Sequence, residues 1–197
     1  MNHPVREDTF PYLIMVRVTR TWELWGGVIV AAVLAIPLSV AVISLLARRR
    51  ARAGHPAPVR TALADVGIVT GTLPWLWMIL TPSSGPTGIG LVPFGDLATL
   101  ANAPWSVVLT QVGGNLLVFA ALGALLPVRT PHLASAARVA AVAATASVTV
   151  EALQYGLRLG RFASIDDVLV NTLGAVLAAL VTRRSWARRT ADRAVSP

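Results

Sequence analysis

Five apolar runs, each near the 20 residues that an α-helix needs to cross the hydrocarbon of a bilayer, account for most of this 197-residue chain. In lipid, every backbone N–H and C=O must find its partner inside the protein, so spanning segments of this kind are helices. The runs cover residues 23–47, 61–80, 107–126, 134–157 and 165–182. Pro37 marks an expected kink in the first, and Pro74 lies inside the second. Trp75, Trp77 and Trp105 sit where an interfacial aromatic belt is expected. The expected fold class is therefore all-α, a polytopic membrane helix bundle with about five transmembrane helices. A 55% hydrophobic fraction, a 13% charged fraction and a mean hydropathy of +0.66 are not those of a soluble domain.

Charge then sets the orientation. The net charge of +8 would suggest nucleic acid in a soluble chain, but here the arginines crowd the ends of apolar runs and no nucleic-acid-binding motif accompanies them. Twelve arginines fall in the loop after the first run, the loop after the third and the C-terminal tail; five fall on the other side. The richer side is expected to be cytoplasmic, giving an outer N-terminus and an inner C-terminus. Three parts follow: residues 1–60, with the first transmembrane helix and a basic loop; a helical membrane domain, 61–182; and a basic cytoplasmic tail, 183–197. The stretch 10–18 is expected to lie flat on the outer surface. There is no Cys, so neither a disulfide nor a thiolate metal site can form, and the three His fall in separate polar stretches. No metal and no cofactor are expected. The N-terminus lacks the pattern of a cleavable signal.

Against this apolar background a few polar residues stand out. A carboxylate at the centre of a bilayer costs roughly 2.5–3.5 kcal/mol on insertion scales, so such a residue is a functional candidate by default. Gln111 and Asn115 share one face of the third run, beside Gly113 and Gly114, which would let another helix approach. Glu151 and Gln154 lie one turn apart near the outer end of the fourth. Asp167, Asn171 and Gly174 follow one face of the fifth. At 1.5 Å per residue, Asn115, Glu151 and Asn171 each lie about 9–12 Å from the outer end of their helices. Arg161, in the connector between the acid-bearing helices, is expected to pair with Glu151 or Asp167. Each residue also has a plainer reading. The amides can serve as interhelical hydrogen-bond partners, Asp166 as a helix N-cap, Asp167 as a helix-dipole partner, and Pro93 with Phe94 as a surface turn.

The ordered set LVPFGDL (91–97), GGNLLVFAALGALLP (113–127), VEALQ (150–154) and RFASIDDVLVNTLGA (161–175) resembles the VanZ-like family of bacterial membrane proteins. The resemblance covers about residues 91–175. It places Pro93 and Phe94 on the family's outer-loop Pro-Phe, and Gly114, Asn115, Phe119 and Pro127 on its Gly-Asn…Phe…Pro helix. Glu151 and Gln154 fall on its Glu-x-x-Gln, and Arg161, Asp166, Asp167, Asn171 and Gly174 on its Arg…Asp-Asp…Asn…Gly element. After Phe119 the chain reads Ala-Ala-Leu-Gly where the family often has Pro-x-Gly. The founding member is associated with low-level resistance to the glycopeptide teicoplanin, which makes a resistance role the implied function.

Two readings of the site follow. In the first, an outward-facing pocket binds a lipid headgroup, a wall precursor or a lipid-tailed drug, with Pro93, Phe94, Asn115, Gln154, Arg161, Asp166 and Asn171 as ligand contacts. The partner is then a membrane lipid or a lipid-linked envelope molecule in the bacterial plasma membrane. In the second, the chain is a membrane-embedded hydrolase or transferase with Glu151 and Asp167 as catalytic carboxylates, Asn115 and Asn171 orienting substrate, Arg161 holding a phosphate, and Asp166 with Asp167 offering oxygen ligands to Mg²⁺. No Ser or Cys has a base beside it. Transport is disfavoured, because no internal repeat and no polar path through the inner halves of the runs is present.

Overall fold

The computed structural model describes residues 9–186, and the side chains of 26–186. Expectations for the last part of the basic tail, Arg188, Arg189 and Arg193 included, lie outside the described residues. Helix α1 (Thr9–Arg52) leads through a short turn to α2 (Pro58–Leu80). A long loop follows, carrying strand β1 (Gly88–Gly90) and helix α3 (Gly95–Leu100). The third crossing is assembled from α4 (Trp105–Val108), a π-helical turn at Leu109–Gly113, α5 (Gly114–Val118) and α6 (Ala120–Arg129). Helix α7 (Ala136–Gly156), strand β2 (Phe162–Ser164) and α8 (Ile165–Val181) complete the bundle.

Among the described residues four stretches are long and apolar enough to cross a membrane: Gly26–Arg52, Pro58–Leu80, Trp105–Arg129 and Ala136–Gly156. At 17 residues α8 is shorter, at the lower end of the roughly 17–25 that suffice. The all-α membrane bundle is thus confirmed, with two corrections. Residues 10–18 are not a separate surface segment, because α1 runs unbroken for 44 residues. The third crossing is not one regular helix: it is π-wound just before Asn115, and Phe119 leaves helical geometry at φ −112°, ψ 15°. A π turn inserts one extra residue per hydrogen bond and re-aims the side chains that follow it.

Helix α8 is the hub, packing on α5, α6 and α7, while α2 packs on α6 and α1 on α2. Val118, Phe119, Val139, Ala143, Val150, Ala175 and Ala179 form the buried core. Close approach depends on glycines other than those expected. A Cβ at Gly174 would fall 2.0 Å from the Leu116 carbonyl oxygen, and one at Gly123 would fall 2.1 Å from that of Ala175. The third crossing and α8 therefore touch backbone to backbone. Gly114 has open space around it and Gly113 meets only Leu109 of its own crossing, so neither makes the helix contact foreseen for them. Gly67 and Gly71, one turn apart on α2, do the same work against Leu125 and Ala121 of α6.

The two ends of the bundle are fastened differently. At the arginine-rich end a single acid, Asp65 of α2, pairs with Arg50 at the end of α1 and with Arg129 at the end of α6, the latter at 2.5 Å. The cost argument that singles out Glu151 applies equally to Asp65, which the sequence reading passed over. At the opposite end, β1 pairs in parallel with β2, Gly88 opposite Phe162 and Gly90 opposite Ser164. This binds the long loop to the α7–α8 connector. Gly160, at φ +66°, lies so close to the Ser83 carbonyl that no other residue fits.

Asp166 completes the fastening, and its role differs from the expected N-cap. Ser164 is the N-cap of α8, its Oγ accepting from the Asp166 amide at 3.1 Å. The buried Asp166 carboxylate reaches across to the loop instead. It accepts from the amides of Phe94 (2.6 Å), Asp96 (3.0 Å) and Leu97 (3.1 Å) at the start of α3. The Ser164 hydroxyl donates to Asp96 as well.

Two predictions follow from this packing. Gly174→Ala is expected to destabilise the protein by about 1–3 kcal/mol or more, the usual range for overpacking, whereas Gly114→Ala is expected to be neutral; thermal unfolding of the two variants in detergent gives the comparison. Asp166→Asn keeps one acceptor oxygen for three amides and is expected to release the loop, since hydrogen bonds to a charged group contribute about 1.5–3 kcal/mol each. Hydrogen exchange at the Phe94, Asp96 and Leu97 amides should quicken while exchange in the α7–α8 core stays slow.

Candidate functional site

The ends of α2, the third crossing, α7 and α8 enclose a cavity of about 530 Å³ at the end of the bundle away from the arginine-rich loops. Gln111, Asn115, Glu151, Gln154, Arg161, Asp167 and Asn171 line it, so most of the polar residues singled out from the sequence converge there. Trp75, Met78 and Phe162 supply apolar wall. Pro93, Phe94 and Asp166 do not line the cavity. Phe94 is 64% exposed and holds a left-handed backbone conformation at φ +63°. Its amide and those of Asp96 and Leu97 are what Asp166 binds.

Local sequence explains each placement. Asn115 follows the π turn and donates from Nδ2 to Asp167 Oδ1, across the close contact that Gly174 permits one helical face further along. Asp167 and Asn171 are i and i+4 on α8 and so face the same way. On α7, Ser147 and Glu151 are likewise i and i+4. Ser147 is fully buried and accepts from Asn171 Nδ2 at 2.8 Å. Ser147 was missed from the sequence, although its spacing from Glu151 was the available signal. Asn171 is 2% exposed, and its Oδ1 is buried with no hydrogen-bond partner among the described residues.

Glu151 accepts from the Ser164 amide through Oε2 at 3.0 Å. Its other oxygen accepts nothing from the described residues. Arg161 does not pair with either acid, contrary to expectation: among the described residues its only partners are the carbonyls of Met78 (2.9 Å) and Thr81 (3.3 Å). Gln154 donates to the neighbouring carbonyl of Ile79 at 2.8 Å. The reason is the C-terminus of α2. The last four carbonyls of a helix have no intrahelical donor, and a cation is favoured beside them. Burial pulls the Arg161 guanidinium below its ordinary pKa, yet a guanidinium stays charged at neutral pH.

The result is a cavity lined by a guanidinium and two carboxyl groups with no salt bridge between them among the described residues. Two of the five N–H groups of Arg161 are used, as is one oxygen of each acid. Such a lining can hold a polar, zwitterionic or hydrogen-bonding ligand. Asp166 does not join Asp167 in the cavity: both of its oxygens accept from loop amides, and among the described residues no three acidic or His side chains gather at metal-binding distance. The Ser164 hydroxyl donates to the Asp96 carboxylate and accepts from the Asp166 amide at the α8 cap.

Every residue that lines this cavity falls within one match to known proteins. The sequence model of the VanZ/LLP1 family covers residues 68–187, more than half of the chain. No curated protein and no solved structure matches it. The ordered motifs, the helical membrane bundle and the extent of this match lead to one assignment: the chain is a member of the VanZ/LLP1 family.

Proposed function

We propose that the chain is a multi-pass protein of the bacterial plasma membrane, with its N-terminus outside and its C-terminus in the cytoplasm. Its cavity then opens in the outer leaflet and binds the polar part of an envelope molecule: a lipid headgroup, a wall precursor or a lipid-tailed drug. Binding there lowers the susceptibility of the cell to glycopeptides of the teicoplanin type. The observation that carries this reading is the convergence of Asn115, Glu151, Arg161, Asp167 and Asn171 on one cavity, on the side opposite the arginine-rich ends. Arginine-rich loops are retained in the cytoplasm, which turns the cavity outward. Charged groups left unneutralised near a bilayer are costly, and a ligand that pairs with them offsets that cost.

Orientation and function are tested separately. The chain has no Cys, so single cysteines report topology cleanly. In intact cells Ser84→Cys, in the exposed long loop, should react with an impermeant maleimide, and Ala53→Cys, beside the arginines that end α1, should not; the reverse pattern inverts the site. Expressed in a glycopeptide-sensitive Gram-positive host, the wild type should raise the inhibitory concentration of teicoplanin. Glu151→Gln at matched membrane level should abolish that rise. Protection retained by the variant would remove Glu151 from the site, and no protection by the wild type would remove the resistance role.

A further inference from the structure

Glu151 borders two cavities, not one. On its inner side lies the polar cavity. On its other side is a second cavity of about 270 Å³, walled by Ile89 and Leu91 of the long loop, Val148 of α7, and Ile165 and Val168 of α8. Its accessible lining is almost wholly apolar. Leu91 is 75% exposed, Val148 55% and Ile89 50%, so the slot opens at the outer surface of the bundle. These residues share the level of Glu151: Val148 is one turn before it on α7, and Ile165 begins α8 directly after the Ser164 amide that binds it. An apolar slot that opens outward from a membrane helix bundle faces acyl chains.

The polar side specifies complementary chemistry. Asn171 Oδ1 is buried without a donor, and Glu151 and Asp167 each keep one oxygen that accepts nothing from the described residues. An ammonium group has three N–H donors and no acceptor. Arg161 lines the same cavity with N–H groups to spare and, among the described residues, no acid within pairing distance, which suits a phosphate.

We infer that the two cavities form one site for an amphiphile with an acyl chain and a headgroup bearing both phosphate and ammonium. The chain lies in the slot between α7 and α8, the ammonium meets Glu151 and Asp167, and the phosphate meets Arg161. Glu151 marks the boundary between the apolar and polar parts. This rests on the binding function proposed above and names the ligand class for it.

The test uses the full chain in maltoside detergent, with ligand binding followed by native mass spectrometry. Three probes separate the elements: short-chain phosphatidylethanolamine; short-chain phosphatidylglycerol, which lacks the ammonium; and glycerophosphoethanolamine, which lacks the chains. Phosphatidylethanolamine should bind at least about tenfold more tightly than either of the others, the scale set by one charge-assisted hydrogen bond. Glu151→Gln should erase its advantage over phosphatidylglycerol. Val148→Trp fills the slot from an exposed position and should reduce phosphatidylethanolamine to the level of the free headgroup. Equal binding of the two lipids, with both weakened by Arg161→Gln, would overturn the ammonium assignment and leave a polar binding site standing. Equal binding of phosphatidylethanolamine and its free headgroup, unaffected by Val148→Trp, would overturn the slot. Binding of all three probes that no cavity variant alters, or binding of none, would overturn this inference; the susceptibility measurement decides the broader reading on its own.

Discussion

The site depends on how closely α8 can approach the third crossing. Gly174 lies against the Leu116 carbonyl and Gly123 against that of Ala175. Without those two contacts the helices would stand apart by at least a side chain, and Asn115 could not reach Asp167. Lipid offers no hydrophobic drive for helices to associate, so contact of this kind rests on close packing of small residues and on hydrogen bonds across the gap. Here the two are coupled: the glycines permit the approach, and the Asn115–Asp167 bond uses it. The π turn at Leu109–Gly113 belongs to the same arrangement, since Asn115 lies just beyond it.

Several polar residues turn out to serve two structures at once. Arg161 and Gln154 satisfy the last carbonyls of α2 while lining the cavity. Glu151 anchors the connector through the Ser164 amide and still presents an oxygen to the interior. The scaffold therefore holds these groups in place without consuming their full bonding capacity. A binding site needs that combination, because fixed groups lose little freedom when a ligand arrives.

The parts legible in the sequence were those governed by local cost and local periodicity. All five apolar runs fall in helical segments, and the second to fifth keep close to their expected ends, whereas α1 begins at Thr9, well before the expected start at residue 23. Asn115, Glu151, Asp167 and Asn171 were found because polar groups are expensive in lipid, and i, i+4 spacing placed the last two on one face. What was not legible depends on chain closure. Arg161 was assigned to the nearest acids in sequence, yet it caps α2, some 80 residues away. Asp166 looked like a local cap and proved to be a long-range latch. Gly113 and Gly114 were the conspicuous glycine pair, but Gly123 and Gly174 make the contacts, because facing backbones, not glycine density, decide where a Cβ is forbidden.

The latch at Asp166 has a consequence for biogenesis. The loop that it holds is synthesised early, and Asp166 follows Phe94 by 72 positions. When the first three crossings have entered the bilayer, the amides of Phe94, Asp96 and Leu97 still lack that acceptor, and β1 lacks the strand it pairs with. The arrival of β2 and α8 supplies both together. The state of the loop thus registers whether the bundle has been completed, and a chain stalled before α8 would display an unfinished loop to membrane proteases. Assembly of the cavity is tied to the arrival of α8, so a half-inserted chain would lack the wall that carries Asp167 and Asn171.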